Sequence, residues 1–540
     1  MKLHIDNVPA SFDALARRLE DDRILQRIWA HDPSVWSDAP DEIVNRLDWL
    51  HLPFAMQRHL ESIQSFAQEI AATDIEHVLL LGMGGSSLAP ETFSRIYGSC
   101  TGSPKLVVLD STHPQAILDI EAEIDLAKTL VIVATKSGGT TETLSLYRYF
   151  FGKMKETVGA GATGARFVAI TDPGSRLVDI AHSNAFRKVF TNNPNIGGRY
   201  SALSHFGLVP AALCGIDVSR MLASVSTLIM ESALATSVTE NVSAELGLTL
   251  AAAATEGRNK LTFVLPPAKA SFGDWVEQLI AESTGKQGRG IVPVVQEQVG
   301  SPETYRCDRV FVAINPSEPV AHQLEELRAA GHPIITMSES AEDALPRLMY
   351  VWELATAIAG HILMINPFDQ PNVESAKVAS RSFVDRFRKT GEPPETGSVP
   401  LDANTLREFI ARSNPRYFSI QAYLPPSRDM NDGLAALRER LRKRTCASTT
   451  SGYGPRFLHS TGQLHKGDSG EGAFIQLVSP ELPNLPIPQE DAFVGTPLSF
   501  GALISAQAAG DRAALEQAGR HVITFDVSSP RQLMELAETL

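Results

Sequence analysis

Along residues 12–30 and again along 54–70, apolar side chains recur every three or four positions, and prolines at 33, 40 and 53 mark breaks. That spacing puts one apolar face on each helix, so 1–70 is expected to be a helical packing segment. From residue 71 the pattern changes to short apolar runs separated by longer amphipathic stretches: 77–82 (HVLLLG), 105–110 (KLVVLD), 129–135 (TLVIVAT) and 166–171 (RFVAIT). Strand–helix alternation of this kind predicts right-handed βαβ units on a parallel sheet covered on both faces. An Ala-rich helical run (228–255) leads into a second round, with strands predicted at 259–266, 309–315 and 333–337. The chain therefore reads as α/β, with two similar units in tandem. The Pro- and Gly-rich stretch 388–402 is the linker candidate, and strands near 417–424, 473–478 and 521–526 form a third α/β segment beyond it. The expected divisions are 1–70, 71–215, 216–412 and 413–540.

At 540 residues the chain is too long for one ordinary core of about 150 residues. Lys and Arg number 48 against 62 Asp and Glu, a formal charge of −14. That balance argues against a nonspecific nucleic-acid or anionic-membrane surface, which needs clustered cations. The one basic helix, 434–445 (LAALRERLRKRT), carries Glu439 among its cations and reads as a solvated face rather than a nucleic-acid arm. Cys100, Cys214, Cys307 and Cys446 are widely spaced, with no zinc-ligand pattern. The N-terminus lacks the features of a secretion signal, and nothing approaches eighteen uninterrupted apolar residues. A cytoplasmic, reduced protein without metal or membrane partner is the expectation.

Candidate chemistry follows the strands. Residues 82–87 (GMGGSS) join a strand to a helical pattern, where glycines let backbone N–H groups approach an anion; a tight packing turn is the equal alternative. The loop 135–143 (TKSGGTTET) is more specific. Five hydroxyls, two glycines and Lys136 at a helix start suit a phosphate monoester, whereas helix capping needs only one hydroxyl. The Walker pattern for nucleoside triphosphates is absent. In 197–201 (GGRYS), Arg199 could reach a phosphate or a developing oxyanion, or be an ordinary ion-pair partner. Gln278 and Glu282 stand four apart on one helix face, with Gly285 as the stop. Glu282 on the last turn suits proton transfer, or forms a surface pair with Lys286. Gln370 and Lys377, seven apart, are expected to project along one helix face, and His459 and His465 lie in the Gly-rich stretch 452–467.

Taken together, GMGGSSLAP (82–90), TKSGGTTET (135–143), GGRYS (197–201), EQLIAESTGK (277–286) and NPFDQPNVESAK (366–377) resemble the phosphoglucose isomerase family in order and spacing. The resemblance implies two sugar-isomerase (SIS) domains, each a parallel sheet flanked by helices, and a cofactor-free aldose–ketose isomerisation of glucose 6-phosphate and fructose 6-phosphate. It implies a substrate cradle at Gly85, Ser86, Thr135, Lys136, Ser137 and Thr140, with Gln278 and Gln370 lining the sugar site. Glu282 would move the C2–C1 proton, Arg199 would sit beside the enediolate, and Lys377 would assist ring opening.

The family's ring-opening histidine normally lies between the glutamate and lysine motifs, but 287–365 holds no such loop. The matching stretch, LHSTGQ with His459, comes after Lys377. This order resembles the isomerase half of fused transaldolase–phosphoglucose isomerase proteins, although 70 leading residues cannot hold a transaldolase barrel. A chain that supplies its own histidine can work as a monomer, whereas the family's usual homodimers share it. The rival readings are a noncatalytic SIS-type sugar-phosphate sensor and an isomerase of another phosphosugar, such as mannose 6-phosphate.

Overall fold

The computed structural model describes residues 1–233, 237–339, 343–392, 395–489 and 496–540. Its strands form three five-stranded sheets. The first is parallel throughout, in the order Lys105–Leu109, His77–Gly82, Thr129–Ala134, Phe167–Thr171, Lys188–Thr191. Its central strands are buried on both faces. Val78, Leu80, Leu130, Ile132, Val168 and Ile170 enter one core, while Leu79, Leu81, Val131, Val133, Phe167 and Ala169 enter another. A strand's period of two divides each continuous apolar run in this way.

After Gly82 the chain crosses to Lys105–Leu109 on one side and returns to Thr129–Ala134 on the other. The loops that follow these two neighbouring strands therefore diverge around a crevice at the sheet's switch point. GMGGSS and TKSGGTTET are those loops.

The second sheet has the order Lys2–Asp6, Ile334–Ser338, Arg309–Ile314, Lys260–Val264, Val292–Val294. Its first strand is antiparallel to Ile334–Ser338 and the others are parallel. The leading residues are therefore not helical but close an edge of the second sheet. Helices Phe12–Asp21, Ile24–Trp29 and Leu60–Ala71 follow. The N-terminal segment is tied down further by Trp36 Nε1 donating to Ala357 O at 2.8 Å and by Trp49 against Tyr200, ring centroids 4.9 Å apart.

The third sheet is parallel, in the order Val399–Pro400, His521–Asp526, Gly472–Val478, Tyr417–Tyr423, Ser448–Tyr453. Leu406 and Phe409 of helix Ala403–Ser413 pack in its core, so residues 399–412 lie with this sheet rather than with the second. Of the strands not expected from sequence, KVFT, VPV and STTSGY are short or lack an apolar run, and all three sit at sheet edges. Among the described residues no helix is long and apolar enough to cross a membrane.

The basic helix Arg428–Thr445 corrects the sequence reading in part. Glu439 and Lys443 do form an exposed pair, but Arg438 and Arg442 are buried against the second unit. Arg438 donates to Val295 O and Thr449 O, and Arg442 to Gln298 O and the Tyr305 hydroxyl. Burial of these guanidinium groups is tolerated because Arg438 Nε and Nη2 and Arg442 Nη1 find acceptors, although Arg442 Nε has none. These contacts fasten the third sheet's unit onto the second.

Candidate active site

The helix Thr141–Val158 begins at Thr140, whose hydroxyl makes no cap to the helix but bonds the Thr135 hydroxyl at 2.8 Å. The hydroxyls of this loop are therefore not consumed by capping, the competing explanation for their number. Ser137, Gly139, Thr140, Thr141 and Glu142 line one wall of a cavity of about 570 Å³. Lys377 and Arg381 from helix Val373–Thr390, with His459 and Gln507 from the C-terminal unit, line the others. Lys136 is not in this lining: its ammonium pairs with Asp172 and donates to Pro194 O at 2.9 Å. Burial raises the Asp172 carboxyl pKa despite that partner.

The GMGGSS turn seats on the other motifs through contacts only glycine allows. A Cβ on Gly85 would stand 2.1 Å from Gly198 O, next to Arg199. Gly84 has φ +54°, and a Cβ there would meet Gln278 Nε2 and His459 O, both at 2.8 Å. The turn is thus a close-packing device as well as a helix start, and Ser86 is buried within it.

Behind the histidine lies the buried carboxylate. Glu282 sits on the last turn of helix Ala270–Thr284, its Oε1 3.2 Å from Arg199 Nη1 and its Oε2 accepting from Gln278 Nε2 at 3.1 Å. Gln278 Nε2 also donates to His459 O at 2.8 Å, which links this cluster to the cavity wall. The Glu282 side chain keeps 11% exposure and so remains reachable. The helix returns between two parallel strands, so Glu282 stands toward the strands' N-terminal edge.

Arg199 is held from every side. It donates to Ser283 Oγ (2.9 Å), Gln370 Oε1 (2.7 Å), Pro367 O and Asp369 O (both 2.8 Å). Lys286 does not pair with Glu282 but bonds Asp369 O (2.6 Å) and Oδ1 (2.7 Å). Burial, with Arg199 nearby, pulls the Lys286 ammonium pKa down to about 8 against the opposing pull of Asp369. Gly285 ends the helix at φ −79°, and its lack of a side chain serves packing, since a Cβ would lie 2.3 Å from Leu464 Cα. Gln370 precedes the helix that carries Lys377, so the two do not share a helix face; Gln370 reaches Arg199 and Lys377 the cavity.

His459 Nε2 lies 3.2 Å from Glu142 Oε1, and Gln507 Nε2 donates to the same oxygen at 2.7 Å. Gln507 in turn accepts from Thr112 Oγ1 at 2.6 Å. Burial alone would raise the Glu142 pKa, but His459 and the charge of Lys377 hold it below the usual carboxylate range. Glu142 and Gln507 were not singled out from sequence. A carboxylate in a helix's first turn looks like a dipole partner, and nothing marks a glutamine mid-helix in Phe500–Gln517. His465 is structural: it is buried beside Ser419 and Gln421, each at 3.3 Å, and burial keeps its pKa well below the ordinary value.

Residues 34–300 match the phosphoglucose isomerase family. A glucose-6-phosphate isomerase from Rubrobacter xylanophilus is 30% identical over 379 residues, covering 59% of this chain and 85% of that protein. The chain belongs to the phosphoglucose isomerase family. The family match spans the turn, the hydroxyl loop, GGRYS and the Glu282 helix, whereas Lys377 and His459 lie beyond it. A solved glucose-6-phosphate isomerase from Chlamydia trachomatis shares the fold, with a TM-score of 0.58 at 19% identity over 74% of this chain and 89% of that one. A hypothetical protein from Thermus thermophilus has a TM-score of 0.61 at 24% identity, covering 71% of this chain and all of its own.

Proposed function

We propose that this protein interconverts glucose 6-phosphate and fructose 6-phosphate, with Glu282, Arg199, His459 and Lys377 as its catalytic residues. The observation that carries the reading is the Glu282–Arg199 pair, buried and joined through Gln278 to the histidine loop on the cavity wall. The relatives named glucose-6-phosphate isomerase support it.

The phosphate is held by Ser137, Thr140 and Thr135 at the start of helix Thr141–Val158, where hydroxyls and the positive end of the helix dipole favour an anion. Lys136, set back against Asp172, adds positive field, and Gly85 and Ser86 complete the cradle. Ring opening breaks the C1–O5 bond: the O1 hydroxyl loses a proton, O5 gains one, and an aldehyde forms. His459, oriented by Glu142, exchanges these protons with help from Lys377. Glu282 then removes the C2 proton, made acidic by the neighbouring carbonyl, and returns it to C1. O1 gains a proton and O2 loses one, leaving the ketose at an unchanged overall oxidation level. Arg199 stabilises the enediolate charge between these steps; one well-placed donor in such a site contributes about 3 kcal/mol. Gln278 and Gln370 line the sugar site.

His459 works in the chain that carries Glu282, so a monomer suffices. We divide the chain into an N-terminal segment (1–70), two SIS domains and a C-terminal α/β unit bearing the histidine, and take its compartment to be the reducing cytoplasm, consistent with free thiols at all four cysteines.

The test is a coupled assay of fructose 6-phosphate formation with Glu282→Gln beside the parent protein. Turnover is expected to fall by about a thousandfold, the scale of a lost general base. Near-parental turnover would overturn the assignment of Glu282. Parallel kcat/KM measurements with mannose 6-phosphate are expected to favour the glucose epimer.

A further inference from the structure

His459 reaches the first unit from the far side of the chain, and something must keep it there. Three residues earlier in the same short helical turn, Arg456 extends into the first unit and bonds the Glu91 carboxylate through Nη2. Its Nε lies 3.3 Å from Asp110 Oδ2. Both acceptors are nine-tenths or more buried and are themselves held: Glu91 by Arg95 at 2.6 Å, and Asp110 by the Ser87 hydroxyl at 3.2 Å. Glu91 lies on helix Leu88–Tyr97, directly after the GMGGSS turn, and Asp110 directly follows strand Lys105–Leu109 beside it.

The turn is also where His459 rests, against Gly84. One side of the histidine loop is thus packed on glycine and the other pinned by a guanidinium between two carboxylates. None of these four groups faces the cavity. Arg is suited to this because its planar fork serves two acceptors from one rigid group.

We propose that Arg456 is a positioning residue: it latches the histidine loop of the C-terminal unit onto the first unit and so seats His459 for ring opening. The inference rests on the assignment of ring opening to His459. A displaced histidine slows C1–O5 cleavage but leaves the Glu282 proton transfer intact, so loss of the latch shifts the slow step rather than weakening every step alike. A misplacement of about 1 Å is enough for roughly a hundredfold loss.

The experiment uses the full chain in a Glu282→Asp background, where slow proton transfer exposes the isotope effect of C2-deuterated glucose 6-phosphate. Adding Arg456→Met is expected to lower the isotope effect, and in the parent protein with Glu282 intact to lower kcat/KM by up to about a hundredfold. Arg456→Lys, which keeps one charge, should recover part of both. Removing the cation strands two buried carboxylates, so Arg456→Met with Glu91→Gln and Asp110→Asn, from which all three latch charges are removed, is carried in parallel; it is expected to fold and to show the same lowered isotope effect. An undiminished isotope effect in the triple variant, with or without lost turnover, would overturn the latch. If His459→Ala in the same background also keeps the full isotope effect, the histidine assignment falls and the latch with it; an intact effect in the Arg456 variants alone sinks only the latch.

Discussion

The imidazole Nε2 of His459 stands 3.2 Å from Oε1 of Glu142, and 317 residues separate them in the chain. The pair joins the first α/β unit to the third across the cavity that holds the hydroxyl loop. It makes the C-terminal unit part of the candidate site, whose cavity His459 and Gln507 line, rather than an attachment to it.

Because both halves of this pair belong to one chain, mixing inactive variants should not restore activity. Equal amounts of Glu282→Ala and His459→Ala protein are expected to show only the sum of their separate residual rates in a coupled assay. Recovery well above that sum would reveal histidines shared between subunits.

Gln507 holds the same Glu142 oxygen at 2.7 Å and is itself fixed by Thr112. Gln507→Leu removes one hydrogen bond to a buried carboxylate, a loss on the order of 1.5 kcal/mol, equivalent to about tenfold in rate. We expect that loss in kcat, with KM changed little because the phosphate contacts remain. Steady-state kinetics with glucose 6-phosphate checks the split.

Gly85→Ala sets a methyl group 2.1 Å from the backbone oxygen of Gly198, which no side-chain rotation can relieve. The turn and the Arg199 segment must separate, at a cost of about 3 kcal/mol. A lowered Tm together with reduced turnover is expected, whereas Gly152→Ala, inside helix Thr141–Val158 where a Cβ meets nothing within 4 Å, should leave turnover unchanged and raise the Tm slightly.

Glu277, beside Asp274 and within the field of Arg438 and Arg456, has its carboxyl pKa pushed up to about 8, chiefly by burial and then by Asp274. The folded chain therefore holds a proton that the unfolded chain releases near 4.5, and stability contributed by the protonated form declines as pH rises from 4.5 toward 8. Glu277→Gln, which cannot ionise, is expected to match the parent Tm near pH 5 and exceed it near pH 8. Thermal melts at the two pH values decide this, and an equal difference at both would contradict it.

The sequence by itself determined the sheets' central strands and the local chemistry of the loops that follow them. A run such as Leu130–Ala134 has no polar face, so a strand covered on both sides is its natural state, and the glycines and hydroxyls of TKSGGTTET are local facts. Edge strands such as Ser448–Tyr453 escaped because hydroxyl side chains carry no periodic apolar signal. Only the tertiary structure decided which partners those residues meet. Arg199 reads as a lone cation until Ser283, Glu282 and Gln370 converge on it, and Arg442 reads as solvated until Gln298 and Tyr305 cover it. Gln507 and Arg456 carry no sequence mark, and Glu142, inside the hydroxyl loop, reads only as a dipole partner of its helix. Periodicity reports which face of an element is buried, whereas the pairing of polar groups depends on how distant elements pack, and no spacing along the chain encodes that distance.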